Sequence, residues 1–165
     1  MIRVLVVDDH PIVREGLKQI LSDTEDILVV DEADSGQAVL TSAARSNFDV
    51  VLLDISMPGR DGLEVLRELK QQKPKLPVLI LSMYPEEHYA VRVLRAGASG
   101  YLTKSSAPDE LISAIRKVAS GRKYISSTLA ERLTYELDRD ADRPMHEVLS
   151  DREYQVMHMI STGKS

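Results

Sequence analysis

Five positions in this chain carry side chains that could do chemistry together: the adjacent acids Asp8 and Asp9, Asp54, Ser82 and Lys104. Crowded carboxylates repel one another and call for a cation. Hard oxygen ligands suit Mg²⁺, which keeps several waters and takes one or two carboxylates plus a phosphoryl oxygen. A carboxylate can also attack phosphorus and become an aspartyl phosphate. A cation and an ammonium would then stabilise the charge of the transferring group, and a hydroxyl would add a hydrogen bond to it. Taken singly, each residue has a plainer reading. An Asp pair can cap a helix, Asp54 can belong to an ordinary turn, Ser82 can cap a loop, and Lys104 can be a surface lysine.

What argues for a joint role is the pattern of elements that must hold these residues. Short apolar runs at 2–7, 27–30, 50–53, 77–81 and 99–102 read as strands buried on both faces. Helical patterns follow each of them. Pro11 opens one through Leu21, with Ile12, Val13, Leu17, Ile20 and Leu21 at helical spacing. Ser35 can cap the next, over 37–45. Leu63, Leu66 and Leu69 share a face of the third. Pro85 starts the fourth, and Gly97 stops it. A Ser106-x-x-Asp109 capping arrangement with Pro108 opens the fifth, and Gly121 ends it. Five strands alternating with five helices predict an α/β parallel sheet covered on both faces. In such sheets functional groups gather at the carboxyl ends of the strands. Asp8 and Asp9, Asp54, Ser82 and Lys104 all fall there.

The matching stretches Val7–Leu17, Asp54–Gly62, Leu81–Met83 and Ala96–Lys104 resemble the bacterial receiver domain throughout residues 1–120. The output region resembles the NarL/FixJ group of response regulators, which carry a LuxR-type helix-turn-helix, and within that group the GacA/UvrY and RcsB type. The resemblance implies a flavodoxin-like (βα)5 doubly wound sheet of strand order 2-1-3-4-5. It implies that Asp54 accepts a phosphoryl group from a sensor histidine kinase. Asp9 would bind Mg²⁺ directly, Asp8 through water, and the Ser56 carbonyl would add another oxygen. Ser82 and Lys104 would contact the phosphoryl group, and Tyr101, three residues before Lys104, would be the aromatic switch. The implied protein is a phosphorylation-controlled transcription regulator, not an enzyme, with homodimerisation and promoter binding under control of the switch. Many receivers place Pro after the lysine. Here Ser105 follows Lys104, and a cis bond there would cost about 3 kcal/mol.

Two other readings fit less well. A phosphohydrolase of the haloacid-dehalogenase type also uses an aspartyl phosphate, but it places a second Asp two residues after a first-strand nucleophile. Here His10 follows Asp8 and Asp9. A degenerate receiver acting only by dimerisation would lack a site residue, and none is missing. His10 reads as a loop residue near the site and not as a ligand. His88 also invites a metal reading, and His146 and His158 have no second ligand nearby in sequence.

Composition narrows the setting. The chain has 165 residues, 43% hydrophobic and 28% charged, as a folded globular protein would. There is no Cys, so disulfides and thiolate metal sites are excluded. No secretory signal or membrane-length apolar run is visible, which predicts a cytoplasmic protein with no membrane partner. Residues 1–120 hold 14 basic and 18 acidic side chains, and residues 121–165 hold 7 and 8. Neither part has the basic excess that phosphate-backbone binding normally needs.

Beyond Gly121, residues 121–146 read as a helical linker, with Ile125, Leu129, Leu133 and Leu137 in one stripe and a charged run stopped by Pro144. Residues 147–165 resemble the opening of a LuxR-type DNA-binding domain. Its first helix starts near Ser150 and carries Val156, Met157 and Ile160 on its apolar face. No base-reading second helix follows. The expectation is a truncated regulator that reaches promoter DNA only through a part outside this sequence.

Overall fold

In the computed structural model, the residues described are 1–55, 62–83, 86–125, 130–131 and 134–135. The chain runs β1 (Ile2–Val7), α1 (Pro11–Ser22), β2 (Ile27–Ala33), α2 (Gly36–Arg45), β3 (Val50–Asp54), α3 (Gly62–Gln72), β4 (Val78–Ser82), α4 (Glu86–Arg95), β5 (Gly100–Thr103) and α5 (Pro108–Ala119). The strands form one parallel sheet in the order β2-β1-β3-β4-β5. This is the flavodoxin-like arrangement, and its order reverses between β1 and β3, where such folds open a crevice at the carboxyl edge.

Alternation along the strands divides the interior into two layers. Leu5, Val7, Val51, Leu53, Val78, Ile80 and Tyr101 pack with residues of α2, α3 and α4. Val4, Val6, Val50, Leu52, Leu79, Leu81 and Leu102 face the other way, toward α1 and α5. β3 and β4 are buried at every position, which is why they read as unbroken apolar runs. Each fully buried aliphatic side chain here stabilises the fold by about 1.5–3 kcal/mol.

Several local expectations hold. Pro11 begins α1, and the Ser35 hydroxyl accepts the Ala38 amide at 3.2 Å to cap α2. Leu63, Leu66 and Leu69 are fully buried. Gly97 and Gly121 adopt positive φ, at 110° and 92°. At both, the next amide reaches back five residues, Ala98 to Val93 and Arg122 to Lys117. These are Schellman turns, whose left-handed position favours Gly.

Others do not hold. Ile12 is 86% exposed, so α1 turns only Val13, Leu17, Ile20 and Leu21 toward the sheet. β2 is an edge strand, longer than its apolar run, and Asp31 and Glu32 extend it with their side chains in solvent. The Ser106-x-x-Asp109 cap does not form. Ala107 is the cap residue of α5, without a side-chain hydrogen bond, because Pro108 already supplies the first-turn geometry.

After α5 the backbone returns to the sheet. Tyr124 pairs with Gly100 beside β5, and its amide donates to the Ser99 carbonyl at 2.9 Å. Ile125 packs against the core. Of the segment expected to be a helical linker, Ala130, Glu131, Thr134 and Tyr135 are helical. Ser56, Pro85, Leu129, Leu133, Leu137 and the whole segment 136–165, with His146, His158 and the helix expected from Ser150, lie outside the described residues.

Candidate functional site

The ladder carries the functional residues past the strand ends in register. The Asp8 amide donates to Ala33, Ile55 to Leu81, and Lys104 to the Ser82 carbonyl at 2.7 Å. Asp54 stands level with Leu81, and Ser82 with Thr103. Asp8, Asp54 and Ser82 are the buried polar residues of the described chain, all at the carboxyl edge. Buried polar groups cost free energy unless partnered, so their concentration here is a property of a site and not of a core.

Lys104 joins the two carboxylates. Its Nζ donates to Asp8 Oδ2 at 2.8 Å and lies 3.2 Å from Asp54 Oδ2. Burial pushes the Asp8 carboxyl up, but the Lys104 ammonium and the His10 amide and ring outweigh it and hold it below its ordinary range. Burial likewise pulls Lys104 down, and Asp8 and Asp54 more than restore it, so the ammonium is held above its usual value. Both groups are therefore charged at neutral pH. Lys104–Ser105 is trans, with no cis bond among the described residues.

Ligand atoms of Asp8, Asp9, His10 and Asp54 all lie within 4.8 Å of one another. Asp9 Oδ1 is buried and accepts no hydrogen bond. It lies 3.1 Å from His10 Nδ1, a charge contact if the ring is protonated, but the geometry is not that of a hydrogen bond. An oxygen without a proton donor, beside two further carboxylates, fits a hard divalent cation.

Four of the expected site residues thus converge, Asp8, Asp9, Asp54 and Lys104, and Ser82 ends β4 on the same edge. Tyr101 is buried on β5, level with Ile80, in the layer beneath α4. Ser56 lies outside the described residues. His10 lies near the site as expected, with its ring against both Asp8 and Asp9. One residue enters that was not expected. Arg14 donates from Nη1 to the Asp8 carbonyl and from Nε to Glu32 Oε1 at 3.2 Å, tying the first loop to α1 and β2. The sequence signals for Arg14 are its place on α1, one turn beyond His10, and its membership of the Val7–Leu17 stretch.

A model of the response regulator receiver domain matches residues 4–116. The chain is 40% identical over 165 residues to the response regulator UvrY of Escherichia coli, covering 99% of this chain and 76% of that protein. Its structure is similar to that of a LuxR-family two-component response regulator from Aurantimonas sp. SI85-9A1, with a TM-score of 0.75 at 36% identity, over 81% of this chain and 96% of that one. It is also similar to RcsB from Salmonella enterica serovar Typhimurium bound to a promoter in the presence of the phosphomimetic BeF3-. There the TM-score is 0.74 at 27% identity, over 98% of this chain and 78% of that one. With the sheet order, the acidic edge and Lys104 in place, the chain belongs to the receiver-domain response regulators, the two-component proteins that regulate transcription.

Proposed function

We propose that Asp54 is the phosphoacceptor and that Asp8, Asp9 and Asp54, with the Ser56 carbonyl, hold Mg²⁺. The observation that carries this reading is the bridge of Lys104 Nζ between Asp8 and Asp54, at 2.8 and 3.2 Å, next to the unbonded oxygen of Asp9. A carboxylate oxygen of Asp54 forms a bond to phosphorus while the P–N bond to the kinase histidine breaks. The electron pair returns to the imidazole nitrogen, which takes up a proton. Lys104 neutralises charge on the phosphoryl oxygens, and Ser82 supplies a hydroxyl to them. Bound Mg²⁺ would add positive charge at the same oxygens.

The partner in this reading is a sensor histidine kinase, and the compartment is the cytoplasm. Among the described residues no helix is long and apolar enough to cross a membrane. Ser82 and Tyr101 form the switch, a two-state element biased by one modification. Its output is homodimerisation and promoter binding through the region after the receiver, residues 121–146 as linker and 147–165 as the start of a helix-turn-helix. The RcsB structure on a promoter supports the DNA part by similarity. The protein acts as a switch and not as a turnover enzyme.

The test is labelling by a small-molecule phosphodonor with Mg²⁺. Wild type is expected to incorporate phosphate and Asp54→Ala is not; equal labelling of the two overturns the assignment. Steady turnover of a generic phosphomonoester would instead favour the phosphohydrolase reading.

A further inference from the structure

We propose that His10 is a ligand of the divalent-ion site through Nδ1, so that the site is a mixed nitrogen–oxygen one, shifted toward manganese-class ions relative to magnesium. The inference rests on the cation site proposed above and adds one residue to it.

His10 occupies the N-cap position of α1, yet its side chain makes no capping hydrogen bond. The ring is turned back over the acids instead. Nδ1 lies 3.1 Å from Asp8 Oδ1 and 3.1 Å from Asp9 Oδ1. Adjacent vertices of an octahedron with metal bonds of about 2.1 Å are about 3.0 Å apart, so these spacings are those of neighbouring ligands around one small ion. The contact with Asp9 is close without being a hydrogen bond, since Asp9 Oδ1 accepts none. In the tautomer that carries its proton on Nε2, Nδ1 and Asp9 Oδ1 are two electron-pair donors facing a shared point. The backbone is fixed for it: the His10 amide donates to Asp8 Oδ1 at 2.8 Å, and Arg14 holds the Asp8 carbonyl. The ring itself is 62% exposed, so it reaches the site from the solvent side, where an ion enters.

Chemistry then sets the preference. Mg²⁺ favours an all-oxygen octahedron, whereas imidazole is a good ligand for later first-row ions, whose affinity for nitrogen-containing sites rises along the series. Plain use of the ring as a hydrogen-bond donor to Asp8 competes with this assignment, because Nδ1 is within 3.1 Å of Asp8 Oδ1. A donor nitrogen carries a proton and cannot also hold a metal, so the two uses give different spectra.

The experiment uses the 165-residue chain with Mn²⁺ and pulsed electron paramagnetic resonance, and compares wild type, His10→Gln and Asp9→Asn. Calorimetric titrations with Mn²⁺ and Mg²⁺ run alongside, and far-UV circular dichroism checks the fold. Directly bonded ¹⁴N modulation is expected in wild type and not in His10→Gln, and the Mn²⁺-to-Mg²⁺ affinity ratio is expected to fall roughly tenfold or more in that variant. If Asp9→Asn weakens Mn²⁺ but wild type shows no His10-dependent nitrogen signal, His10 is not a ligand and the cation site stands. If Asp9→Asn leaves Mn²⁺ binding unchanged, the ion is elsewhere and both readings fall.

Discussion

Lys104 Nζ is bound more closely to Asp8 than to Asp54, at 2.8 against 3.2 Å, so the ammonium neutralises a buried acid of the first strand as well as the one on the third. Removing it leaves two carboxylates in an enclosed edge without their cation. Without divalent ions, Lys104→Met is expected to destabilise the fold by about 3 kcal/mol at neutral pH. The pH dependence follows from Asp8, whose folded-state pKa is depressed below its ordinary 3.8. Such a group contributes stability above the unfolded value, and the contribution is lost as pH falls through the folded one. The gap between wild type and variant should therefore narrow below about pH 4, as urea denaturation at a series of pH values would read. A gap that stays constant into acid would mean that Lys104 acts by packing alone.

Gly62 begins α3 directly against the residue that follows Asp54. A Cβ at this position would stand 2.5 Å from the Ile55 carbonyl oxygen and 2.8 Å from Ile55 Cα, both backbone atoms that cannot swing aside. Gly62→Ala is expected to cost about 1–3 kcal/mol, seen as a Tm lower by several degrees. Because the displaced backbone is that of Ile55, the amide resonances of Asp54 and Ile55 should shift while those of β2 do not. An unchanged Tm would show that α3 can retreat from β3 freely.

These two cases mark what the sequence could reveal. The strands with both faces covered, β3 and β4, announce themselves, because every side chain from Val50 to Leu53 and from Val78 to Leu81 is buried and apolar. The apolar run is shorter than β2, because an edge strand tolerates Asp31 and Glu32, which break the pattern. The site acids and Lys104 were legible from strand-end logic, since a parallel sheet brings all its carboxyl ends together. The contacts that His10 and Arg14 make there were not. Their roles depend on where a loop and a helix face fall, and side-chain direction in a loop leaves no periodic trace. Ile12 shows the same limit: five apolar residues share α1, and only the sheet decides which one is left in water.

Arg14 offers a direct check on that missed contribution. Its Nη1 holds the Asp8 carbonyl and its Nε pairs with Glu32, which also binds Lys18 at 2.8 Å. Arg14→Lys keeps the charge but loses the planar fork that serves both partners at once. The expected cost is about 1–2 kcal/mol for the lysine variant, and a similar or larger one for Arg14→Ala. Glu32→Gln should cost less than Arg14→Ala, because the carbonyl bond survives it. Chemical denaturation of the three variants decides the order, and equal losses for Arg14→Ala and Glu32→Gln would show that the ion pair, not the loop contact, carries the effect.

The return of the chain to β5 gives a last test, one that reaches from β5 to the segment after α5. Gly100 precedes Tyr101, and a Cβ on Gly100 would lie 2.8 Å from the Tyr124 carbonyl oxygen and 3.0 Å from both Tyr124 Cβ and a Leu79 methyl. Tyr124 is otherwise well fastened, its hydroxyl donating to Glu110 Oε1 at 2.9 Å and its amide to Ser99. Gly100→Ala should therefore strain the Gly100–Tyr124 pairing before it disturbs β4–β5, whose ladder is stabilised on both faces. The expected signature is faster hydrogen exchange at the Tyr124 amide, with the amides of Leu81 and Leu102 still protected. Tyr124→Ala removes the Glu110 bond without the clash, and should also speed exchange at residue 124. Combining the two should cost less than the sum of the single losses, because both act on one contact. Strict additivity, or loss of protection at Leu81 and Leu102, would mean that Gly100 is needed for the sheet itself and that the docking of Tyr124 is incidental.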